Sequence, residues 1–370
     1  MDFGKDINRM QPLVVIDARM IGPTGHGIAE YVRDLVLGLS ELQSPSYKVH
    51  LLVSNRMLSE DPLRKIPHTE VGAPFLSATE MIEVPRVLKK LRADLFHSPS
   101  FAAFPLLKIP TVYTVHDLIH LHFGSWAHKA YYQFLLRPAL ERAVKVCTVS
   151  EFSRKEIAGW MGWPADRIAL VRNAIHVESP QKGWEERLKK WGLIQYQYHF
   201  SLSSYKPHKN MPFLIKAYLA HAEKHEAAWP LVISLTEAEV GFRHPKIVCV
   251  GSLSQDDKNT LLAGAGAFYF PSLREGFGRP PLEAYLLNRT KIAVSDIPVH
   301  LELMSQLEPT PRFLSPYHLN QWTEQFLHFE SMDSAGTASS GGEKKLDGFG
   351  RRELAQQMGV VYQSHLDRNA

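Results

Sequence analysis

The sequence predicts an α/β protein of two domains, each a doubly wound parallel sheet covered by helices. Its 370 residues exceed what one ordinary hydrophobic core holds. Continuous apolar runs of four to seven residues alternate with amphipathic helical stretches, which is typical of parallel strands buried on both faces. The alternation stops at 173–192, where a polar passage with Pro and Gly intervenes. We therefore expect α/β domains over 1–178 and 179–350.

The predicted strands fall into two series, one for each domain. The first series comprises 13–17, 48–54, 94–98, 111–117, 144–150 and 168–171, and the second comprises 198–203, 230–235, 246–252, 267–272 and 291–295. In open parallel sheets, ligands bind beyond the carboxyl ends of the strands. Candidate functional residues should therefore lie just after these strands.

The C-terminal end predicts a tether followed by a helix. Residues 331–349 are rich in Ser, Gly and charge and offer little to bury, which predicts a mobile linker. A helical period then returns through Leu354, Met358, Val361 and Tyr362. We expect a helix within 351–370 that packs back on the first domain.

Composition favours a soluble globular enzyme. The formal net charge is only +4. Nucleic-acid-binding proteins usually have a concentrated basic face, so we expect no nucleic-acid partner. Cys147 and Cys249 both lie in apolar runs, so we expect reduced, buried thiols and a cytoplasmic location. No apolar run approaches the ~20 residues that a membrane span needs, and the N-terminus lacks the apolar core of a signal peptide.

A glycine loop follows the first predicted strand. Gly22, Gly25 and Gly27 precede a helix, so backbone N–H groups and the positive helix end would meet there. This arrangement suits a phosphate, although a plain turn is an equal alternative. The spacing is neither a G-x-G-x-x-G dinucleotide fingerprint nor a P-loop.

Histidines end two other strands of the first domain. His116 and Asp117 follow the 111–117 run, and His97 ends the 94–98 run, so they could contact a polar substrate or act as catalytic groups. His120 and His122 come next, but their spacing matches no familiar zinc pattern, and we expect no metal.

Two segments of the second domain indicate an elongated ligand. Lys206, His208 and Lys209 precede a helix whose predicted N-cap is Asn210, which outlines an anion site, with a solvated basic loop as the alternative. In "REGFGRPPLE" (274–283), the loop residue Glu275 and the helical residue Glu283 stand too far apart to share a proton. We therefore expect them to hold two separate parts of one ligand.

The stretch E-G-F-G-x-P-P-x-E resembles the E-x7-E signature of glycosyltransferase family 4, whose members transfer sugars with retention. Other segments are similar in the same order: "TGHGIAEY", "VHD", "TVSEFSRKEI", "IALVRNAI", "PHKN" and "DIPVHLEL". The resemblance implies a GT-B fold, in which two Rossmann-like domains face each other across a cleft. It also implies a nucleotide-sugar held mainly by the second domain.

By matching positions, the resemblance assigns roles in the second domain. Glu275 would bind sugar hydroxyls, Glu283 the ribose hydroxyls, and Lys209 the diphosphate. Backbone amides at Gly276, Phe277 and Gly278 would contact the sugar and the diphosphate.

In the first domain, Gly27 would contact the donor phosphate and His116 the sugar near the bond being cleaved. His97 and Asp117 are predicted to lie on the acceptor and sugar side. The predicted catalytic set is therefore His116, Glu275 and Lys209.

The chain departs from the family pattern at several positions. Ser203 and Ser204 replace the usual Gly-Arg, so half of the diphosphate clamp is absent, and Lys206 could substitute. Ala29 and Glu30 replace a glycine and an arginine of the N-terminal loop. Arg279 replaces a leucine and could reach a phosphate or the acceptor.

The predicted reaction is transfer of a sugar from a nucleotide-sugar to a glycan or lipid-linked saccharide. The preferred prediction for the donor is GDP-mannose, which would transfer mannose. No D-x-D motif occurs, which agrees with metal-independent transfer and no cofactor. A UDP-sugar donor and a non-catalytic sugar-nucleotide-binding subunit are alternatives. A nicotinamide oxidoreductase would need a dinucleotide fingerprint and an acidic residue that "LLVSNRM" lacks.

Two stretches suggest peripheral contact with the inner face of the cell membrane. Residues 84–95 place Arg86, Lys89, Lys90 and Arg92 beside apolar residues. Residues 123–136 carry Trp126, Tyr131, Tyr132 and Phe134, residue types that suit the headgroup layer. The equal alternative is that both are ordinary helices covering the sheet.

Overall fold

The computed structural model describes residues 11–22, 27–42, 45–55, 61–287, 291–332 and 346–369. The chain divides into two compact units: one extends to Ala174 and resumes at Gly348, and the other spans Ile175–Asp347. The first boundary lies four residues before the predicted one at 178. Gly25 and most of the predicted linker, 333–345, lie outside the described residues.

The described residues of the first unit form a seven-stranded parallel sheet in the order β3-β2-β1-β4-β5-β6-β7. The strands are β1 Leu13–Asp17, β2 Lys48–Val53, β3 His68–Glu70, β4 Leu95–Ser98, β5 Thr111–Thr114, β6 Lys145–Thr148 and β7 Ile168–Leu170. Apart from the edge strands and the partly buried Leu13 and Val49, their apolar side chains are buried on both faces, as is typical of continuous apolar runs.

Helices cover this sheet. They are α1 Gly27–Glu41, α2 Glu80–Leu91, α3 Ile119–Phe123, α4 Trp126–Tyr131, α5 Arg137–Glu141, α6 Glu151–Met161 and, after the second unit, α14 Arg351–Leu366. Local sequence sets the ends of α6: the Ser150 hydroxyl accepts from the N–H of Ser153, and Gly162 ends the helix in the left-handed conformation.

The C-terminal helix α14 packs against α1 within the first unit. Leu354, Met358 and Tyr362 are buried on its inner face. Arg351 pairs with Asp34 of α1 at 2.8 Å. Gly38 allows this approach, because a Cβ there would collide with the carbonyl oxygen of Arg351.

The described residues of the second unit form a six-stranded parallel sheet in the order β10-β9-β8-β11-β12-β13. The strands are β8 His199–Ser201, β9 Leu231–Ile233, β10 Ile247–Cys249, β11 Ala267–Phe270, β12 Ile292–Ser295 and β13 Arg312–Leu314. The helices are α7 Trp184–Arg187, α8 Met211–Ala222, α9 Glu237–Val240, α10 Gln255–Gly264, α11 Arg279–Leu286, α12 Pro298–Met304 and α13 Leu319–Ser331.

Both sheets follow the doubly wound order of the Rossmann fold. The first strand of each series lies inside the sheet, and the order in which later strands are added reverses beside it. This confirms the predicted α/β class with two Rossmann-like domains. The strands β3 and β13 were not predicted. Both are three-residue edge strands without a continuous apolar run. Among the described residues, no helix has both the length and the hydropathy to cross a bilayer.

Candidate functional site

The topological switch point of the second sheet lies between β8 and β11, where ligands bind in doubly wound folds. The loop after β8 carries Lys206 and Lys209, and the loop after β11 carries Glu275. A hydrogen bond of 2.7 Å from the N–H of Leu273 to the carbonyl of His208 joins the two loops. Lys209 and Glu275, which are 66 positions apart in the sequence, are thereby brought together.

Glu275 and Lys209 form a close ion pair. The Lys209 Nζ donates to Glu275 Oε1 at 2.6 Å, and only 7% of Glu275 is exposed. Burial acts to raise the pKa of Glu275, but the Lys209 ammonium outweighs it and holds the pKa below its ordinary value. Glu275 is therefore an ionised group that accepts hydrogen bonds, suited to sugar hydroxyls rather than to donating a proton.

Glu283 has a different lysine partner. Lys258 of α10 donates to its Oε2 at 2.9 Å, and the Nε of Arg279 lies 3.5 Å from its Oε1. Burial acts to raise the pKa of Glu283, whereas Lys258 and then Arg279 lower it below its ordinary value. Sequence reasoning missed Lys258, because it lies 25 residues away on a helix with no recognisable motif.

The loop between the two carboxylates has a conformation that requires glycine. Gly278 has φ +86° and immediately precedes α11, whose first turn accommodates Pro280 and Pro281. A Cβ on Gly278 would lie 3.1 Å from Nε2 of His300. Gly276 and Phe277 are buried beside it.

His300 lies against this loop and was not singled out from the sequence, although "DIPVHLEL" contains it. Its ring is fully buried, and Nδ1 lies 2.8 Å from the carbonyl oxygen of Ser295. Burial lowers the pKa of His300 to about 4 despite the nearby Glu275 carboxylate. The imidazole is therefore neutral at pH 7, with the proton on Nδ1, since only an N–H can donate to a carbonyl.

Two predictions for the second unit take a different form in the structure. Arg279 is only 7% exposed and pairs with Glu283, so its guanidinium is turned inward instead of extending to a phosphate or an acceptor. Asn210 does not cap α8: it adopts φ +56°, and its side chain donates to the carbonyl of Pro316 at 3.1 Å. The donor contacts of Ser204 and Lys206 stay a prediction, and both residues are exposed on the loop after β8.

In the first unit, His116 and Asp117 follow β5. His116 is half-buried, with Nε2 3.0 Å from the carbonyl oxygen of Pro99 and its ring edge-on to Tyr31 at 4.8 Å. The Asp117 carboxylate accepts from the N–H of Ile119 at 2.9 Å and so turns the chain into α3. Gly27 is the exposed first residue of α1.

The structure corrects the interpretation of His97. The ring is fully buried, with Nδ1 2.6 Å from the hydroxyl of Tyr362 and Nε2 2.9 Å from that of Thr114. Burial lowers its pKa to about 3, so the ring is neutral. Both nitrogens are used inside the core, and none remains to contact an acceptor.

Among the described residues, the group whose geometry could hold a metal ion is His199, His221 and Glu330, not His120 and His122. Both Nε2 atoms lie 2.9–3.0 Å from the Glu330 carboxylate, and the N–H of Trp229 donates to it at 3.0 Å. These are hydrogen-bond distances, and they tie β8, α8 and α13 together.

Solved structures show which fold the two units have. Two doubly wound domains, with carboxylates and lysines at the second switch point, are typical of GT-B glycosyltransferases. A crystal structure of a glycosyltransferase from Rickettsia africae ESF-5 aligns with a TM-score of 0.69 at 14% identity, over 96% of this chain and 99% of that one. Anabaena Alr3699/HepE in complex with UDP and glucose aligns with a TM-score of 0.65 at 14% identity, over 97% and 99%. These likenesses show the fold.

Sequence matches then show which family the chain is similar to. Residues 25–179 match the family described as Glycosyltransferase Family 4. The O-antigen chain mannosyltransferase RfbU of Salmonella typhimurium is 27% identical over 255 residues, 67% of this chain and 67% of the relative. The O-antigen chain mannosyltransferase B of Escherichia coli is 29% identical over 213 residues, 53% of this chain and 56% of the relative. The chain is thus a glycosyltransferase, and over residues 25–179 it is similar to family 4.

Proposed function

We propose that the protein transfers mannose, with retention, from GDP-mannose to a saccharide or lipid-linked saccharide during synthesis of an O-antigen-like polysaccharide. The observation that carries the proposal is the pair of buried carboxylates, Glu275 on the glycine-containing loop after β11 and Glu283 on α11, each ionised beside its own lysine. Mannose and the O-antigen come from the names of the relatives.

The second unit supplies the contacts that an elongated nucleotide-sugar needs. In this proposal Glu275 accepts hydrogen bonds from sugar hydroxyls and Glu283 from the ribose. In the same proposal Lys209 binds the diphosphate next to the sugar, which its 2.6 Å contact with Glu275 supports. As the bond to the leaving phosphate breaks, Lys209, Lys206 and backbone N–H groups near Gly278 stabilise the charge that develops on its oxygens.

The proposed reaction is a same-face displacement. The bond between the sugar's anomeric carbon and the phosphate oxygen breaks, and the bond to the acceptor oxygen forms on the same face. The acceptor's hydroxyl proton moves to the leaving phosphate, so no protein side chain serves as nucleophile or base. His116 contacts the sugar near the reacting bond, which is consistent with its place after the carboxyl end of β5.

Ligand-induced stabilisation tests the donor. A ligand that binds only the folded protein stabilises it by about 2.7 kcal/mol at a hundredfold excess over its Kd. We expect GDP and GDP-mannose to raise the melting temperature, and UDP-sugars and ADP-sugars to have little effect. A shift with UDP-sugars alone would favour the alternative donor. No shift with any nucleotide would contradict the proposed function.

Product analysis separates an enzyme from a non-catalytic binding subunit. With GDP-mannose and a lipid-linked saccharide, we expect a mannosylated product whose α configuration, seen by NMR, matches that of the donor. Slow release of free mannose without acceptor would also indicate catalysis. Binding without transfer or hydrolysis would identify a binding subunit, and an inverted product would rule out retention.

The same proposal includes contact with an anionic membrane surface. On α2, Val84 and Leu88 are buried, whereas Arg86, Lys89 and Lys90, and Arg92 just after the helix, are exposed. Trp126 and Phe134 are 82% and 73% exposed, while Tyr132 lies in the core. Each basic residue near an anionic leaflet contributes about 1 kcal/mol, so binding would be weak and sensitive to salt.

Liposome sedimentation tests this contact. We expect co-sedimentation with phosphatidylserine vesicles at low salt, release at high salt, and weaker binding for the Lys89→Glu, Lys90→Glu variant. Absence of binding at low salt, or unchanged binding by the variant, would show that this surface does not contact membranes.

A further inference from the structure

A buried chain of polar side chains connects the C-terminal helix to the neighbourhood of His116. It begins at Tyr362 of α14, whose hydroxyl lies 2.6 Å from Nδ1 of His97 on β4. Nε2 of the same ring lies 2.9 Å from the hydroxyl of Thr114 on β5. Each ring nitrogen has one partner, so the neutral imidazole donates through one nitrogen and accepts through the other.

The buried chain of polar side chains continues from Thr114 to His116 through Tyr31. The hydroxyls of Thr114 and Tyr31 are 3.4 Å apart. The Tyr31 ring packs edge-on against the His116 ring, with centroids 4.8 Å apart and planes at 86°. His116 is held on its other side by the contact of Nε2 with the carbonyl oxygen of Pro99 at 3.0 Å.

Burial makes this arrangement specific. Tyr362, His97, Thr114 and Tyr31 are each 0% exposed. A buried polar group cannot replace a lost partner with bulk water, so the hydrogen bonds fix one orientation of each ring. The hydroxyl of Tyr362, 265 residues away from His97 in the sequence, thus belongs to the same buried set of side chains as Tyr31, whose ring packs against His116.

We propose that Tyr362 is a positioning residue that orients His116 through His97, Thr114 and Tyr31. The inference rests on the proposed function, in which His116 contacts the sugar near the reacting bond. It assigns the C-terminal helix a part in catalysis beyond packing on α1. It also gives His97 the role of linking Tyr362 to Thr114 by hydrogen bonds. This role replaces the acceptor contact that its position at the end of a strand suggested.

The Tyr362→Phe variant tests the proposal. Loss of the hydroxyl leaves Nδ1 of His97 without its partner, so the ring can turn, and Tyr31 and His116 can move with it. We expect kcat to fall roughly tenfold to a hundredfold, because small misplacements of a group at the reacting bond have effects of that order. KM for the donor should stay within about twofold, because Lys209, Glu275 and Glu283 belong to the other unit.

Tyr47 offers a matched control. Its ring packs edge-on against that of Tyr362 at 5.6 Å, and the side chain is 4% exposed. Within the described part of the chain, its hydroxyl has no hydrogen-bond partner. The Tyr47→Phe variant therefore changes the same interface of α14 without touching the polar chain. We expect its kcat and KM to match those of the wild type when both variants are assayed well below their melting temperatures.

A second readout does not depend on turnover. The imidazole resonances of His116, assigned by comparison with His116→Gln, should shift in Tyr362→Phe and stay in place in Tyr47→Phe. Unshifted resonances in Tyr362→Phe, full kcat in that variant, or equal losses of kcat in both Phe variants would each overturn the proposal. If the wild type transfers no sugar but the His116 signals still shift, the proposed function fails and the structural coupling stands.

Discussion

At the scale of single residues, Glu275 and Glu283 differ in what surrounds them. Glu275 lies on the loop after β11 with Lys209, and Glu283 lies on α11 with Lys258 and Arg279. Both carboxylates are kept ionised by their lysines, although burial acts in the opposite direction. Because the two groups have separate partners, removing one should leave the other intact.

We expect Glu275→Gln and Glu283→Gln to impair different kinetic steps. Glu275→Gln should lower kcat by about 100-fold, because the lost charge orients the reacting sugar. Glu283→Gln should raise KM for the donor about tenfold with a smaller change in kcat, since a hydrogen bond to a charged group contributes roughly 1.5–3 kcal/mol. Steady-state kinetics with varied donor checks both, and full activity in either variant would contradict the assigned roles.

Substitution of Gly278 tests the loop between the carboxylates. An L-residue at φ +86° costs about 1–2 kcal/mol, and a Cβ there would also press on His300 at 3.1 Å. Gly241→Ala is the control, because Gly241 has φ +83° and open space around its Cβ position.

Both glycine variants should lose about 1–2 kcal/mol of unfolding free energy, measured by urea titration. Only Gly278→Ala should also weaken donor binding, measured by calorimetry, because its new methyl group must displace His300 or the loop. Equal donor affinity in the two variants would show that the His300 contact does not shape the site.

At the scale of elements, Glu330 connects three parts of the second unit. From α13 it accepts hydrogen bonds from His199 on β8 and His221 on α8 and from the N–H of Trp229. Burial acts to raise the pKa of Glu330, but the two histidines outweigh it and lower the pKa from 4.5 to about 2.

The pH dependence of stability follows from this lowered pKa. Because Glu330 binds protons more weakly in the folded state, its stabilisation is complete above pH 4.5 and is lost as the pH falls toward 2. We expect Glu330→Gln to destabilise the protein by roughly 2–4 kcal/mol at pH 7. The variant should also show a shallower decline of unfolding free energy between about pH 5 and pH 3.

Urea titrations at several pH values measure both effects. The control is Glu324→Gln, on an exposed position of the same helix. Its stability should stay within about 0.5 kcal/mol of the wild type. If Glu330→Gln matched this control at pH 7, the hydrogen bonds of Glu330 would not stabilise the junction of β8, α8 and α13.

At the scale of the whole molecule, we expect transfer to persist in EDTA. The proposed charge stabilisation relies on Lys209, Lys206 and backbone N–H groups at the start of α11, none of which a chelator removes. Sugar transfer should be measured after dialysis against EDTA and again after addition of Mg²⁺ or Mn²⁺. Loss of activity that either ion restores would contradict metal-independent transfer.

The α/β class and two-domain order could be predicted because they depend on local periodicity. Continuous apolar runs mark strands buried on both faces, and the missed strands β3 and β13 lie at sheet edges, where one side needs no partner. Chain spacing also predicts that Glu275 and Glu283 hold separate parts of a ligand, because a loop and a helical turn of known rise separate them, and this role stays a prediction.

Tertiary structure alone decided which side chains meet. Lys258 reaches Glu283 across 25 residues and Tyr362 reaches His97 across 265, and no local pattern encodes either contact. Position after a strand suggested the same kind of role for His97 and His116, yet one ring is fully buried and the other is half-buried. The physical reason is that periodicity and spacing constrain neighbours along the chain, whereas burial and long-range partners depend on strand order and on which helix covers each face.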